Sequence, residues 1–232
     1  MDSPELHALT DQLDELRALV AGLDDGDFAR PTRCPGWTVA ELVAHCEGML
    51  LRLVRENAQP VSVAAEIDRV GYYRYEPHEP RDDADPEKTF AEVVRDRVID
   101  EVGGRSGDEL RASLEAAIVG AIEGAREIPA ARVIRRSGHP PITYGEFVAS
   151  RHLEFGVHTM DVADAVGEPE RVAPASAVII TGMLDALLGA PLPATLEWDA
   201  TTYILTGTGR RSITSREQAV LGGLAERFPL LE

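Results

Sequence analysis

Helix-start signals recur along this chain of 232 residues, and they constrain its fold more than any other feature. A Ser or Thr followed three residues later by Glu, at the start of an apolar run, predicts a helix N-terminus, because the two side chains cap backbone amides that otherwise lack partners. The pattern begins at four positions: Thr38, Ser106, Thr143 and Thr214. Ser3-Pro4 adds a fifth start, a cap residue followed by a first-turn proline. The chain is therefore predicted to be mainly α.

Apolar residues at steps of three and four extend these starts into amphipathic helices. In the N-terminal region they predict five helical segments, at residues 3–23, 39–56, 86–102, 106–125 and 143–166. Up to four of them could form a bundle with the remaining one packed outside. Residues 57–85 show no sustained period and are predicted to be one long loop.

The C-terminal part is predicted to be a small, helical extension. Residues 175–188 form an apolar helical run, and a last helix starts near Thr214. Residues 196–206 are β-prone by composition, yet Asp199 could cap a short helix, and helix is the favoured interpretation. The predicted division is a bundle at 1–167 and an extension at 168–232.

Composition excludes several classes of protein. The formal charge of −17 would repel nucleic acid and anionic membrane surfaces, and no segment reaches the roughly 20 apolar residues of a membrane span. Cys34 and Cys46 stand in no paired spacing, so neither a disulfide framework nor a thiolate-only zinc site is expected. With no secretory signal at the N-terminus, a cytoplasmic protein is predicted.

One stripe of the helix after Thr143 concentrates ionisable side chains. Its members are Phe147, Arg151, Glu154, His158, Asp161 and Ala165. Glu154 and His158 are four residues apart, and such pairs on a helix converge closely enough to share one ion. From the spacing alone, a half-buried ion pair is the commoner interpretation, and a metal site is the alternative.

His45 is the candidate third ligand, since it lies on the apolar stripe of the Thr38-capped helix, where a histidine needs a partner. Two His and one carboxylate leave an open coordination position, which suits a catalytic divalent ion such as zinc. Arg151 and Asp161, one turn to either side, are the candidate catalytic residues, predicted to support the ligands or to anchor substrate. Cys46 is predicted to be a core residue. The remaining histidines, for which packing or solvent exposure is expected, are His7, His78, His139 and His152.

Two segments strengthen the metal hypothesis by resemblance. Residues 32–45 read C-x-G-W-T-x-x-x-L-x-x-H from Cys34 to His45, and residues 151–161 read R-x-x-E-x-x-x-H-x-x-D. Together they resemble the mycothiol-dependent maleylpyruvate isomerase family of the DinB-like metalloenzymes. The resemblance implies a DinB-like four-helix bundle whose divalent metal, with zinc favoured, is held by His45, Glu154 and His158. It also implies that the thiol mycothiol binds near the metal.

The function that this resemblance implies is activation of the thiol for attack on a small electrophile, by S-transfer or by cis–trans isomerisation. Trp37 and Tyr73 are the candidate cofactor-binding residues, and the Tyr72–Tyr75 segment could line the electrophile pocket. Members with isomerase activity carry a small α/β C-terminal domain, whereas residues 206–231 look helical, so transfer is favoured. Three arginines there, each expected to be a solvated charge, could contact an anionic substrate: Arg210, Arg211 and Arg227.

Two other functions stay open. A metal-dependent hydrolase would use water in place of the thiol. A non-catalytic metal-binding or regulatory protein would use the metal for stability or sensing. The protein is predicted to be a monomer or a homodimer, whichever of these functions it has.

Overall fold

A computed structural model describes residues 3–54, 60–75, 90–135 and 139–231. It confirms the mainly α prediction. The helices of this part of the chain are α1 (Pro4–Ala21), α2 (Asp25–Phe28), α3 (Val39–Val54), α4 (Arg69–Arg74), α5 (Phe90–Val102), α6 (Gly107–Arg126), α7 (Tyr144–Val166), α8 (Pro174–Leu188), α9 (Ala200–Gly207), α10 (Ser215–Leu221) and a 3-10 helix (Gly222–Arg227). Two short strands, β1 (Val133–Ile134) and β2 (Ile142–Thr143), pair antiparallel before α7.

Capping residues start the helices where the sequence pattern predicts. Reciprocal capping contacts join three pairs: Thr38–Glu41, Ser106–Glu109 and Thr214–Glu217. Thr143 caps α7 as predicted, but the expected box is incomplete, because the Glu146 carboxylate accepts hydrogen bonds from Arg69. A stronger charged partner on α4 thus replaces the local contact.

Four helices, α1, α3, α6 and α7, form the predicted bundle, and α5 packs outside it against α3. The bundle core is built from the apolar stripes read in the sequence; Leu9, Leu13 and Leu16 of α1 and Phe155 of α7 are completely buried. Cys46 is completely buried as well, as predicted. This packing places α3 beside α7, so that their side chains can meet.

One local prediction is wrong, and one local feature was not predicted. The long loop contains α4, whose first turn is fixed by the Asp68 carboxylate accepting from the amides of Val70 and Gly71. The β1–β2 pair was not predicted, since strands of two residues are too short to show an alternating pattern. The acidic run 76–85 and the predicted helix start at 86–89 lie outside the described residues.

The C-terminal segment is helical and packs on the bundle through α8, which contacts α7 and α1. Asp199 caps α9 by accepting from the Thr202 amide, which confirms the helix interpretation of this stretch. Ile180 and Leu184 of α8 and Ile204 of α9 form a second apolar cluster with buried residues of α7, among them Leu153 and Met160. The domain division at residue 167 stays a prediction. Within the described ranges, no helix is both long and apolar enough to cross a membrane.

The side chain of His152 on α7 contacts both α1 and α8. Its Nε2 donates to the carbonyl of Glu5, in the first turn of α1, and its Nδ1 lies 2.8 Å from Ser176 Oγ on α8. The ring is completely buried. Burial lowers the pKa of His152 to about 4, against a partial opposing effect of the Glu5 carbonyl. The native state therefore holds a neutral imidazole at a helix junction.

Acidification is expected to destabilise the protein through His152. Between its ordinary pKa and the lowered pKa of about 4, the unfolded state binds a proton that the native state rejects. The free energy of unfolding therefore falls as the pH drops through that window, by about 3 kcal/mol in total. Urea unfolding of wild type and His152→Gln across pH ~7 to ~4 checks this, with His7→Gln as the exposed control. Parallel pH profiles for wild type and His152→Gln would contradict it.

Candidate metal centre

Three side chains from two helices converge at the candidate site. His45 comes from α3, and Glu154 and His158 lie one turn apart on α7. One donor atom from each lies within 4.8 Å of the other two, and His158 Nε2 is 3.7 Å from Glu154 Oε2. Two donors bound to one tetrahedral zinc ion at about 2.1 Å are about 3.4 Å apart. The arrangement thus needs little movement to hold a metal ion.

Neighbouring charges set the protonation states of this group. Burial alone would raise the pKa of Glu154, but the positive charges of Arg151, His158 and His45 outweigh it and lower the pKa. Glu154 is therefore an ionised carboxylate, with 26% of its side chain exposed. Burial would lower the pKa of His158, yet hydrogen bonds and nearby negative charges raise it to about 9. A metal ion that binds His158 would displace this proton, so zinc affinity is expected to rise with pH.

Asp161 orients His158. Its carboxylate is completely buried, and Oδ2 accepts from His158 Nδ1 at 3.1 Å. In the neutral imidazole that a metal ion requires, this hydrogen bond keeps the proton on Nδ1 and leaves the lone pair of Nε2, on the Glu154 side, for the metal. Metal-binding histidines commonly carry such a carboxylate on their other nitrogen. The donor set and its support therefore fit a divalent metal held by His45, Glu154 and His158.

A second group of possible ligands, Cys34, His158 and Asp161, also lies within 4.8 Å. It fits a metal less well. Asp161 already accepts from Arg33 Nε at 2.6 Å and from Arg210, whose Nη2 is 3.0 Å from Oδ2. Cys34 Sγ lies 3.3 Å from the same oxygen. Two guanidinium groups already bind this carboxylate, and their positive charges oppose a metal ion there.

The prediction made for Arg210 is wrong. This residue was expected to be a solvated charge, but it binds Asp161 and has 20% of its side chain exposed. No spacing signal could have found this contact, since 49 positions separate the two residues. Arg211 pairs with Glu217, and Arg227 donates to the Leu188 carbonyl, so both also have protein partners.

Arg151 is buried beneath the site, with 5% of the residue exposed. Its guanidinium lies 4.7 Å from the ring of Tyr72 and 4.9 Å from that of Phe147, and Nη1 is 3.8 Å from Glu154 Oε1. The two rings shield it from solvent. This placement favours the first of its two predicted roles, support of Glu154, over contact with substrate.

Tyr73 and Trp37, the candidate cofactor-binding residues, both contact candidate ligands. The Tyr73 hydroxyl is 2.7 Å from the Ser150 carbonyl and 3.2 Å from Glu154 Oε1. Trp37 packs edge-to-face on His45, with ring centroids 5.4 Å apart. Their role in binding a thiol stays a prediction.

Solved structures with a similar fold include the mycothiol-dependent maleylpyruvate isomerase. Its crystal structure matches with a TM-score of 0.53 at 16% identity, and that of a mutant of the enzyme with 0.54 at 15%. Each match covers 86% of this chain and 77% of the other. At this level of identity the likeness establishes the fold, which is the predicted DinB-like bundle.

Two curated relatives are uncharacterized proteins from two strains of Mycobacterium tuberculosis. Each is 29% identical over 172 residues, which cover 71% of this chain and 57% of the relative. The chain thus matches little more than half the length of these relatives.

The family model of the mycothiol maleylpyruvate isomerase N-terminal domain matches residues 9–163. This range contains all three candidate ligands and both motifs, and it spans more than half of the chain. The chain therefore belongs to the mycothiol maleylpyruvate isomerase N-terminal domain family.

Proposed function

We propose that this protein is a metal-dependent enzyme that activates mycothiol for attack on a small electrophile, with S-transfer as its reaction. The observation that carries the proposal is the convergence of His45, Glu154 and His158, with Asp161 behind His158. Membership of the family supports mycothiol as the thiol. The predicted cytoplasmic location and the monomeric or homodimeric state are part of the proposal.

The bound metal, with zinc favoured by the two imidazoles and one carboxylate, would supply Lewis acidity that lowers the pKa of a neighbouring thiol. The protein residues hold the donors in place. Asp161 keeps the His158 proton on Nδ1, and Tyr73 and Arg151 hold the Glu154 carboxylate from its other side. Three protein donors leave a coordination position for a substrate group.

Transfer is preferred to isomerisation because of the C-terminal segment. After β2, the described residues form helices and no strand, whereas family members with isomerase activity are expected to carry an α/β domain there. In transfer, the S–H bond breaks and its proton passes to solvent. The sulfur then bonds to the electrophilic carbon, and a leaving group departs with the electron pair of the bond it breaks.

Turnover assays of the zinc-loaded full chain test the proposal. The protein is incubated with mycothiol and a panel of epoxides, alkyl halides and cis-alkenes that includes maleylpyruvate, each with and without the thiol. Product formation that needs both zinc and mycothiol is expected. Glu154→Gln, which keeps the side-chain shape but removes the charge, is expected to abolish it.

The other outcomes separate the alternatives. Turnover of hydrolysable substrates without any thiol would replace the proposal with metal-dependent hydrolysis. Zinc that raises the unfolding temperature, with no thiol binding and no turnover, would make the protein a non-catalytic metal-binding module.

A further inference from the structure

The turn after α9 brings an arginine from the C-terminal segment to the metal centre. Gly209 takes a positive φ of 72°, and Arg210 Nη1 donates to the carbonyl of Thr208 at 2.8 Å. The guanidinium is thus fixed by its own turn before it meets α7. Arg210 lies outside the residues 9–163 that define the family match.

Arg210 binds both oxygens of Asp161. Its Nε is 3.1 Å from Oδ1, and its Nη2 is 3.0 Å from Oδ2. A two-point contact of this kind fixes the plane of the carboxylate as well as its position. Oδ2 is also the oxygen that accepts from His158 Nδ1. One carboxylate atom therefore connects Arg210 with the candidate ligand.

The buried charge of the Asp161 carboxylate explains its contact with Arg210. Asp161 is completely buried, and an ionised carboxylate in that position is costly without partners. Arg33 supplies one hydrogen bond from a guanidinium, to Oδ1, and Arg210 supplies two more. Both arginines are far enough apart in sequence from Asp161 that the tertiary fold alone brings them there.

We propose that Arg210 is a positioning residue of the metal centre, through which the C-terminal segment sets the metal affinity of the bundle. It bonds both carboxylate oxygens of Asp161 and so fixes their orientation, and Asp161 in turn presents His158 Nε2 towards the metal. This inference rests on the proposed function, since it needs a metal at His45, Glu154 and His158. It makes the C-terminal segment part of the site.

The inference is tested by the affinity of the Arg210 variants for zinc. Arg210→Ala is expected to weaken zinc binding by about 10-fold, the low end of the range for loss of a group bonded directly to a metal ligand, because Arg210 acts through Asp161. Arg210→Lys is expected to recover part of the loss, because an ammonium group restores the charge but cannot bond both oxygens in the same plane. In an Asp161→Asn background, Arg210→Ala is expected to cause little further loss, since the two residues act in series.

The experiment measures zinc dissociation constants by chelator competition on the full chain. Arg211→Ala is the matched control, because the adjacent Arg211 pairs with Glu217 and not with Asp161. Circular dichroism and the unfolding temperature of each metal-free protein identify variants that do not fold. If Arg210→Ala fails to fold, the zinc dissociation constants of Arg210→Lys and Arg210→Gln are compared with that of wild type instead.

Three results would overturn the inference. Wild-type affinity in folded Arg210 variants would show that Asp161 needs no help, and the proposed function would stand. Equal losses in the Arg210 and Arg211 variants would show general destabilisation of the C-terminal segment. Failure of the wild-type protein to bind zinc would overturn the proposed function and this inference together.

Discussion

Replacing His158 with Ala is expected to weaken zinc binding by more than about 100-fold, a larger loss than that of a supporting residue. The change removes one of three converging donors and leaves Glu154 and His45 to hold the ion alone. Chelator competition on wild type and His158→Ala measures the effect. His7→Ala is the control, since His7 is exposed on α1 and lies in neither group of possible ligands.

Affinity that is equal in wild type and His158→Ala would place the metal elsewhere, and the Glu154–His158 pair would then be a structural ion pair. Loss of zinc in His7→Ala as well would indicate non-specific binding to surface histidines. Either result would contradict the assignment of the site.

Asp161→Ala is expected to lower the free energy of unfolding by about 3–5 kcal/mol, even without metal, because it leaves charges in the protein interior without their partner. Arg33, Arg210 and His158 all donate to this carboxylate, which is completely buried. Urea unfolding of the metal-free proteins measures the change, so that lost metal binding does not contribute.

Asp164→Ala is the matched control for this second variant. Asp164 lies on α7, three residues further along, and its side chain is exposed. Its replacement is expected to change the free energy of unfolding by no more than about 0.5 kcal/mol. A similar small effect for Asp161→Ala would mean that the arginines find other partners or water, and that Asp161 does not organise the site.

The helices could be predicted from the sequence because their signals are local. Thr38 with Glu41 and Ser106 with Glu109 are separated by three residues, and such contacts form within one turn of chain. The incomplete box at Thr143 shows the limit of this reasoning. Glu146 has a local partner available, but Arg69, 77 positions away, binds it with two hydrogen bonds at once.

The candidate metal ligands could be predicted from two different kinds of information. Glu154 and His158 share one helix face, so their proximity follows from helix geometry. The position of His45 relative to them depends on how α3 packs against α7, and periodicity does not specify that. The family resemblance supplied this relation before the structure did.

The support around Asp161 could not be predicted at all. Arg33 lies in a turn and Arg210 follows α9, and neither position carries a spacing signal towards α7. A surface charge was the reasonable expectation for Arg210, because most arginines keep their guanidinium in water. The tertiary fold overrides this expectation where a buried carboxylate needs compensation.

Isothermal titration of mycothiol into zinc-loaded and metal-free protein tests the central claim most directly. The proposal predicts that mycothiol binds the zinc-loaded wild type at least about 10-fold more tightly than the metal-free protein, since thiol and metal share one site and binding is then coupled. In His158→Ala the difference is predicted to vanish. Equal affinity in the presence and absence of zinc, or no binding in either, would contradict a metal-activated thiol.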